Sequence, residues 1–242
     1  MNLPNLLIVG AAKSGTTSLH NYLKQHPDIF MSNHKEPHFL INNEIGVNRI
    51  PKGINNLHDY TNLFSNGASQ KYRGESSAMY LQFPEIAIKN IDRYLDEDVK
   101  IIIMLRNPIE RAFSGYQHVK RYNLDEDLDF EDALEISEQR YFTNNNITPA
   151  SRYIHIGMYN EFVRKFKTKF KTNVHIIIYK DFINNTNQEL SRLFSFLGIK
   201  DVQIDFNKQY MVGGWRWKND LFRKIFMKRH FLKKFIPFKR LI

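Results

Sequence analysis

The feature that most constrains the fold of this sequence is a short apolar run that leads directly into a glycine-containing loop. Leu6-Leu7-Ile8-Val9 is wholly apolar and rich in strand-forming residues, and Gly10 follows it. Beyond the loop, residues 16–25 place apolar side chains at helical spacing, and His26-Pro27 ends that pattern. A buried strand, a tight loop and a helix in this order predict an α/β domain built on a parallel sheet.

Similar patterns along the rest of the chain extend this prediction. Strands are predicted at 29–31, 72–76, 101–105 and 174–179, and helices at 108–122, 125–138, 153–170 and 190–197. Residues 42–56, rich in Gly and Asn, are expected to form a surface loop. The sequence therefore predicts an α/β fold, a three-layer, P-loop-like domain with a central, mostly parallel sheet of about five strands flanked by helices.

The charge of the chain is unevenly distributed. Of its 35 Lys and Arg residues, ten lie in residues 216–242 beside a single acid, whereas the rest of the chain is close to neutral. We therefore divide the chain into a domain over 1–217 and a basic amphipathic C-terminal segment over 218–242. That segment either contacts an anionic membrane surface or acidic polymer, or packs on the domain through its apolar face. No nucleic-acid partner is expected.

Two absences limit the class of protein further. The chain has no cysteine, which excludes disulfides and cysteine-ligated metals. Its first residues lack the basic and apolar regions of a signal peptide, and no apolar run is long enough to span a membrane. We expect a cytoplasmic protein, with peripheral membrane contact through residues 218–242 left open.

The loop from Gly10 to Thr17 has the composition of a phosphate-binding turn. Such a turn before a helix leaves backbone N–H groups pointing at one spot, and the helix dipole adds positive potential there. Gly10 and Gly15 have the spacing of the nucleoside triphosphatase loop, G-x4-G-K-[ST], but Thr16 stands where that loop has its lysine. The lysine is at position 13 instead, where Lys13 can reach the bridging oxygen of a leaving group.

Lys13-Ser14-Gly15-Thr16-Thr17 resembles the 5′-phosphosulfate loop of the sulfotransferases that use 3′-phosphoadenosine 5′-phosphosulfate (PAPS). The resemblance implies that PAPS is the donor substrate, that adenosine 3′,5′-bisphosphate (PAP) is the product, and that no metal is required. It also implies that Lys13 is catalytic, because it would stabilise charge on the leaving phosphate. The donor-binding residues implied in this loop are Ala12, Lys13, Ser14, Gly15, Thr16, Thr17 and Ser18.

A second segment resembles another signature of the same family. A predicted strand leads into Arg106, and Ser114 follows eight residues later on a predicted helix. The resemblance implies that Arg106 and Ser114 hold the 3′-phosphate. Independently, the carboxyl end of a parallel strand is where such sheets bind ligands, and a guanidinium can pair with two phosphate oxygens. From the residues alone, an ion pair of Arg106 with Glu110 and a solvated Ser114 remain the alternative.

Activation of an acceptor requires a base, because a neutral hydroxyl is a poor nucleophile. Lys35-Glu36-Pro37-His38-Phe39 resembles the segment of glycan-modifying sulfotransferases in which the Glu is the base. The resemblance implies that Glu36 is the catalytic base here and that His38 is its assistant or substitute. From the residues alone, the alternative is that Glu36 is a solvated loop residue.

Two weaker resemblances complete the implied site. Glu75-Ser76-Ser77-Ala78-Met79-Tyr80 resembles the family's Glu-Lys-Ser-x-x-Tyr segment, with Ser76 in place of the lysine. Residues 212–218 lie where relatives place a loop over the 3′-phosphate, which implies donor contacts from Gly214 and Arg216, with Lys218 as the other possibility.

Together these resemblances imply a PAPS-dependent sulfotransferase that transfers a sulfuryl group to a hydroxyl or amine by in-line displacement. The segment around Glu36 favours a carbohydrate acceptor, and a lipid or a small metabolite remains open. Two rival hypotheses remain. One is a P-loop kinase of a nucleoside or small molecule, which would need Mg²⁺ and ATP, and the other is a non-catalytic protein that binds polyanions or membranes.

Overall fold

The computed structural model describes residues 2–122 and 128–207. Within them, five strands form one sheet: β1 (Leu6–Gly10), β2 (Ile29–Met31), β3 (Tyr72–Ser76), β4 (Lys100–Leu105) and β5 (Val174–Ile178). The helices are α1 (Thr16–Leu23), α2 (Phe39–Ile45), α3 (Leu57–Asn62), α4 (Pro84–Tyr94), α5 (Pro108–Tyr122), α6 (Phe130–Glu135), α7 (Ser137–Thr143), α8 (Tyr159–Phe170), α9 (Tyr179–Asn184) and α10 (Thr186–Leu197). Short 3-10 turns connect several of them.

The sheet is parallel throughout and has the strand order β2-β3-β1-β4-β5. Strand β1 lies at its centre, where Leu7 is paired with Glu75 of β3 on one side and with Ile101 of β4 on the other. The chain reverses its direction of winding at β1, so the loops that follow β1 and β4 separate and leave a crevice at the carboxyl edge. This edge is where the site must be sought.

The residues of each strand alternate between two hydrophobic cores. On one face, Leu7, Val9 and Ile101 pack against helices α2, α4 and α8. On the other, Ile8 and Ile102 pack against α1, α9 and α10. Since side chains of a strand point to opposite faces in turn, a run apolar at every position must be covered on both faces. The predicted three-layer α/β fold is confirmed.

The structure corrects several details of the prediction, among them the helix predicted over 125–138, whose described part is α6 followed by α7 from Ser137. Residues 42–56 are not wholly a surface loop, because α2 extends through Ile45 and its Asn42 is fully buried. The predicted helix over 153–170 begins only at Tyr159, after a 3-10 turn. Helix α4, which the sequence analysis did not identify, packs on α2 and α8. Within the described residues, 2–122 and 128–207, no helix is both long and apolar enough to cross a membrane.

Candidate active site

A cleft of about 1090 Å³ opens at the carboxyl edge of the sheet, beside the end of β1. The parts of the chain that line it include the loop after β1 with the start of α1, the segment before α2, Arg106 with one face of α5, and α9 with the start of α10. Of the predicted site residues, the lining includes Ala12, Lys13, Gly15, Thr16, Thr17, Ser18, Glu36, His38, Arg106 and Ser114. The fold therefore brings three segments that are far apart in sequence to one cavity.

The loop after β1 reaches the cleft with a conformation that depends on glycine. Gly15 stands at the N-cap of α1 with φ +88°, and no side chain caps that helix. The first backbone N–H groups of α1 are therefore available to an anion in the cleft. A Cβ on Gly15 would lie 3.0 Å from two ring carbons of Tyr179, so a side chain here would press on that ring as well as strain the backbone.

Ser14 is the one described member of this loop set that does not line the cleft. Its side chain is fully buried and its backbone N–H donates to Ala11 O at 3.3 Å. The predicted contact of Ser14 with the donor is thus not supported by its position. Gly214 and Arg216, also predicted to contact the donor, lie outside the described residues, as does the whole segment 218–242.

The cleft is strongly cationic. Five basic side chains and two carboxylates line it: Lys13, Lys35, Arg106, Arg111 and Arg121, with Glu36 and Glu110. Burial lowers the pKa of Lys13, and the positive charges of Arg121, Arg106 and Lys35 lower it further against the opposing effect of Glu36. A polyanion in the cleft would relieve this repulsion, so the lining fits a ligand that carries several negative charges.

Arg106 and Ser114 flank the loop after β1. Arg106 follows the end of β4, its Nη1 lies 3.4 Å from Lys13 O, and its guanidinium carbon lies 4.9 Å from the ring centroid of Tyr179. Its Nε donates to Glu110 at 3.1 Å. The ion pair considered as an alternative is therefore present, yet it leaves the guanidinium on the cleft wall. Ser114 lies two turns into α5 and is half-buried at the cleft.

Glu36 and His38 line the same cleft. The Glu36 carboxylate contacts the Lys35 ammonium, accepts from the Ala78 N–H at 2.8 Å, and lies 3.5 Å from His38 Nε2. Burial raises the pKa of Glu36, but the nearby Lys35 and His38 and the two hydrogen bonds outweigh it and hold that pKa below its usual range. Glu36 is thus ionised at neutral pH and able to accept a proton.

The two candidate bases differ in how far they reach the cleft. The Glu36 side chain is 34% exposed, whereas that of His38 is 7% exposed. Burial lowers the pKa of His38, with Glu36 opposing. His38 is therefore neutral and less accessible than the Glu36 carboxylate, which favours Glu36 as the group that takes the proton of an acceptor.

Several cleft residues were missed by the sequence analysis, among them His118 and Tyr179. His118 lies four residues after Ser114 on the same face of α5, and burial together with Lys13 and Arg121 lowers its pKa to about 4. Tyr179 directly follows β5, at the ligand-binding edge of the sheet, and stacks on Arg106. Both could have been found from spacing: His118 lies one helical repeat from Ser114, and Tyr179 is the last residue of a predicted parallel strand.

Ser76, where the implied segment would have a lysine, does not line the cleft. It is fully buried, and its hydroxyl lies 2.8 Å from Nδ1 of His20, whose Nε2 lies 3.1 Å from Ser32 O. Since Ser32 O can only accept, the proton of His20 is on Nε2 and Ser76 donates to Nδ1. Among residues 2–122 and 128–207, no group of three or more His, Cys, Asp or Glu side chains is arranged to hold a metal ion.

Comparison with known proteins agrees with this geometry. The sequence pattern of the family described as "Sulfotransferase domain" matches residues 3–215. A crystal structure of a sulfotransferase from Alicyclobacillus acidocaldarius is 32% identical in sequence, with a TM-score of 0.77 over 94% of this chain and 92% of that one. Both comparisons span the loop after β1 and the whole described sheet.

Two curated relatives are named for carbohydrate chemistry. Carbohydrate sulfotransferase 15 of Mus musculus is 24% identical over 81% of this chain and 44% of its own length. The bifunctional heparan sulfate N-deacetylase/N-sulfotransferase 2 of Homo sapiens is 28% identical over 81% of this chain and 22% of its own length. The chain thus spans less than half the length of these relatives.

Proposed function

The chain belongs to the sulfotransferase domain family, and we propose from this premise that it transfers a sulfuryl group from PAPS to a carbohydrate acceptor. The observation that carries the proposal is the convergence of Lys13, Arg106, Ser114 and Glu36 on one cationic cleft beside the uncapped start of α1. A donor with phosphate groups at both its 3′ and 5′ positions needs two separate anion sites, and this cleft offers two.

The roles of the residues follow from their places on the cleft wall. The N–H groups at the start of α1 hold the 5′-phosphate, while Arg106 and Ser114 hold the 3′-phosphate. Tyr179 supports Arg106 from beneath its guanidinium. Lys13 stands on the crest of the loop, where its ammonium can stabilise negative charge on the bridging oxygen.

The chemical step is an in-line displacement at sulfur. The acceptor oxygen or nitrogen forms a bond to sulfur while the bond between sulfur and the bridging phosphate oxygen breaks, and PAP leaves with the electron pair. The acceptor proton passes to the carboxylate of Glu36, which is ionised before the step. As in phosphoryl transfer, positioning and electrostatic stabilisation supply most of the rate enhancement.

A carbohydrate acceptor is supported by the relatives named for carbohydrate and heparan sulfate chemistry. It is also supported by the cations that line the cleft beside Lys13 and Arg106, since a saccharide bearing carboxylates or sulfates would be attracted to Lys35 and Arg121. A neutral acceptor would lack this electrostatic attraction.

The test begins with binding and ends with turnover. Calorimetry should detect PAP binding without Mg²⁺, and no comparable binding of ATP with Mg²⁺; the reverse result would favour a kinase. The protein should then be incubated with PAPS and, separately, with N-deacetylated heparosan, chondroitin, a simple phenol and a long-chain alcohol. We expect sulfate transfer to a polysaccharide; transfer only to the phenol or alcohol would contradict the carbohydrate assignment.

A further inference from the structure

The segment that carries Glu36 and His38 has a backbone that must be held in place. Glu36 and His38 have positive φ values of 61° and 54°, in the left-handed region that costs a residue with a side chain about 1–2 kcal/mol. Pro37 between them interrupts any regular hydrogen bonding. This segment therefore depends on contacts from elsewhere to keep the two side chains at the cleft.

Those contacts come from residues just after Glu75, at the end of β3. The Glu36 N–H donates to Ser76 O at 2.9 Å. The His38 N–H donates to the Ser77 hydroxyl oxygen at 3.0 Å. The Leu40 N–H donates to the hydroxyl oxygen of Tyr80 at 3.3 Å, so the Ser77 hydroxyl anchors His38 and the Tyr80 hydroxyl anchors the first turn of α2.

Each of these two hydroxyl groups gives its own hydrogen to Glu75. Ser77 Oγ donates to Glu75 Oε2 at 2.8 Å and Tyr80 OH donates to Oε1 at 2.7 Å. Tyr60 OH adds a third donation to Oε1 at 3.1 Å. A hydroxyl has one hydrogen, so once it points at Glu75 the lone pairs of its oxygen are free to accept from the backbone of residues 38 and 40.

We propose that Glu75 is a positioning residue for the sulfotransfer site: its carboxylate orients the hydroxyls of Ser77 and Tyr80, and these hold the segment that presents Glu36 and His38. Glu75 is fully buried and does not line the cleft, so it acts only through these neighbours. The inference rests on the proposed function, because it assigns Glu75 to the placement of the acceptor base.

Protonation of Glu75 would disturb this arrangement. Burial raises the pKa of Glu75 to about 7, although donation from Tyr80, Ser77 and Tyr60 opposes the rise and Glu36 adds to it. The ionisable groups facing Glu75 are thus Tyr60 of α3, Tyr80, and Glu36 beside His38. A protonated carboxyl itself donates, so Glu75 protonated on Oε2 would compete with the His38 N–H for the Ser77 hydroxyl oxygen.

The test replaces the carboxylate with an amide that cannot accept at both atoms. Glu75→Gln should increase amide hydrogen exchange at residues 38 and 40 by at least tenfold. It should also lower turnover by at least tenfold, measured as PAP released from PAPS in the presence of a polysaccharide acceptor. The dissociation constant of PAP should stay within twofold. If Glu75→Gln fails to fold, Ser77→Ala should produce the exchange change at residue 38 alone.

The hydroxyl of Tyr72, on β3, offers a matched control. Tyr72→Phe removes a bond of 2.7 Å from a buried Tyr OH to Leu197 O, away from the cleft. It should leave exchange at residues 38 and 40 and turnover unchanged. The inference is overturned if Glu75→Gln leaves that exchange unchanged, or if turnover and PAP affinity fall together. Failure of the wild-type protein to bind PAP would refute the proposed function instead, while the exchange result would stand.

Discussion

The substitution Gly15→Ala tests whether the loop after β1 and the support beneath Arg106 form one unit. Gly15 has φ +88°, and a Cβ there would lie 3.0 Å from both Cδ2 and Cε2 of Tyr179. That ring in turn lies 4.9 Å from the guanidinium carbon of Arg106. A single methyl group should therefore strain the loop and also displace the residue that supports a phosphate ligand.

The magnitude follows from these two effects. A left-handed backbone costs alanine about 1–2 kcal/mol relative to glycine, which for a chain of this size corresponds to a fall in Tm of about 2–8 °C. The close contact with Tyr179 requires a shift of a few tenths of an ångström, which Arg106 must follow. We expect the affinity for PAP to fall by about tenfold or more, equivalent to about 1.4 kcal/mol.

The assay is thermal unfolding together with calorimetric titration of PAP, with Gly198→Ala as the control. Gly198 has φ +59°, and a Cβ there would meet only Lys71 Nζ, at 3.7 Å. The control should lower Tm by a comparable amount and leave the dissociation constant of PAP within twofold. Wild-type PAP affinity in Gly15→Ala would refute the coupling of the loop to Arg106 through Tyr179.

Three further results are expected. Lys13→Met should lower turnover by about 100-fold or more, since one preorganised charge is worth about 3 kcal/mol, while PAP still binds; near-normal turnover would exclude the role of Lys13. Glu36→Gln should abolish most turnover and His38→Gln should reduce it less, because Glu36 is the more exposed of the two; the opposite ranking would identify His38 as the base. His20 is buried and its pKa is lowered from 6.5 to about 4 by burial, with Lys35 adding to the effect. Because the folded state keeps His20 neutral, its contribution to the free energy of unfolding is fully present above pH 6.5 and falls by about 3 kcal/mol as the pH falls towards 4. Urea unfolding at pH 7 and pH 4.5 should show that loss, and His20→Gln should reduce the difference.

The sheet and the phosphate loop were predictable because both depend on local features of the chain. All five strands occur where the sequence analysis predicted them, and the loop from Gly10 to Thr17 joins β1 to α1 as expected. Helix α2 was hidden because its start follows Pro37 and its residues include two Asn, a composition typical of loops. Tertiary burial of Asn42 and its neighbours overrides that preference.

The location of most of the predicted donor-binding residues on the cleft was also predictable. A parallel strand places its final residue at the ligand-binding edge, so the location of Arg106 at that edge could be predicted from the position of β4. Ser14 shows the limit of this reasoning, since sequence order within a tight loop does not tell which side chain turns inward. Its complete burial became evident only from the packing around the loop.

The sequence by itself determined that a strand, a phosphate-binding loop carrying Lys13, and a helix follow one another, because backbone propensity and glycine chemistry act over a few residues. Only the tertiary structure decided that Glu36 and Lys13 line the same cleft, that the Tyr179 ring lies against Arg106, and that Glu75 is buried and bonded to Ser77 and Tyr80. Those facts depend on the strand order β2-β3-β1-β4-β5, which places the ends of β3, β4 and β5 around β1. Such pairings join residues that are distant in the chain, and they are set by the burial of two cores rather than by any local pattern.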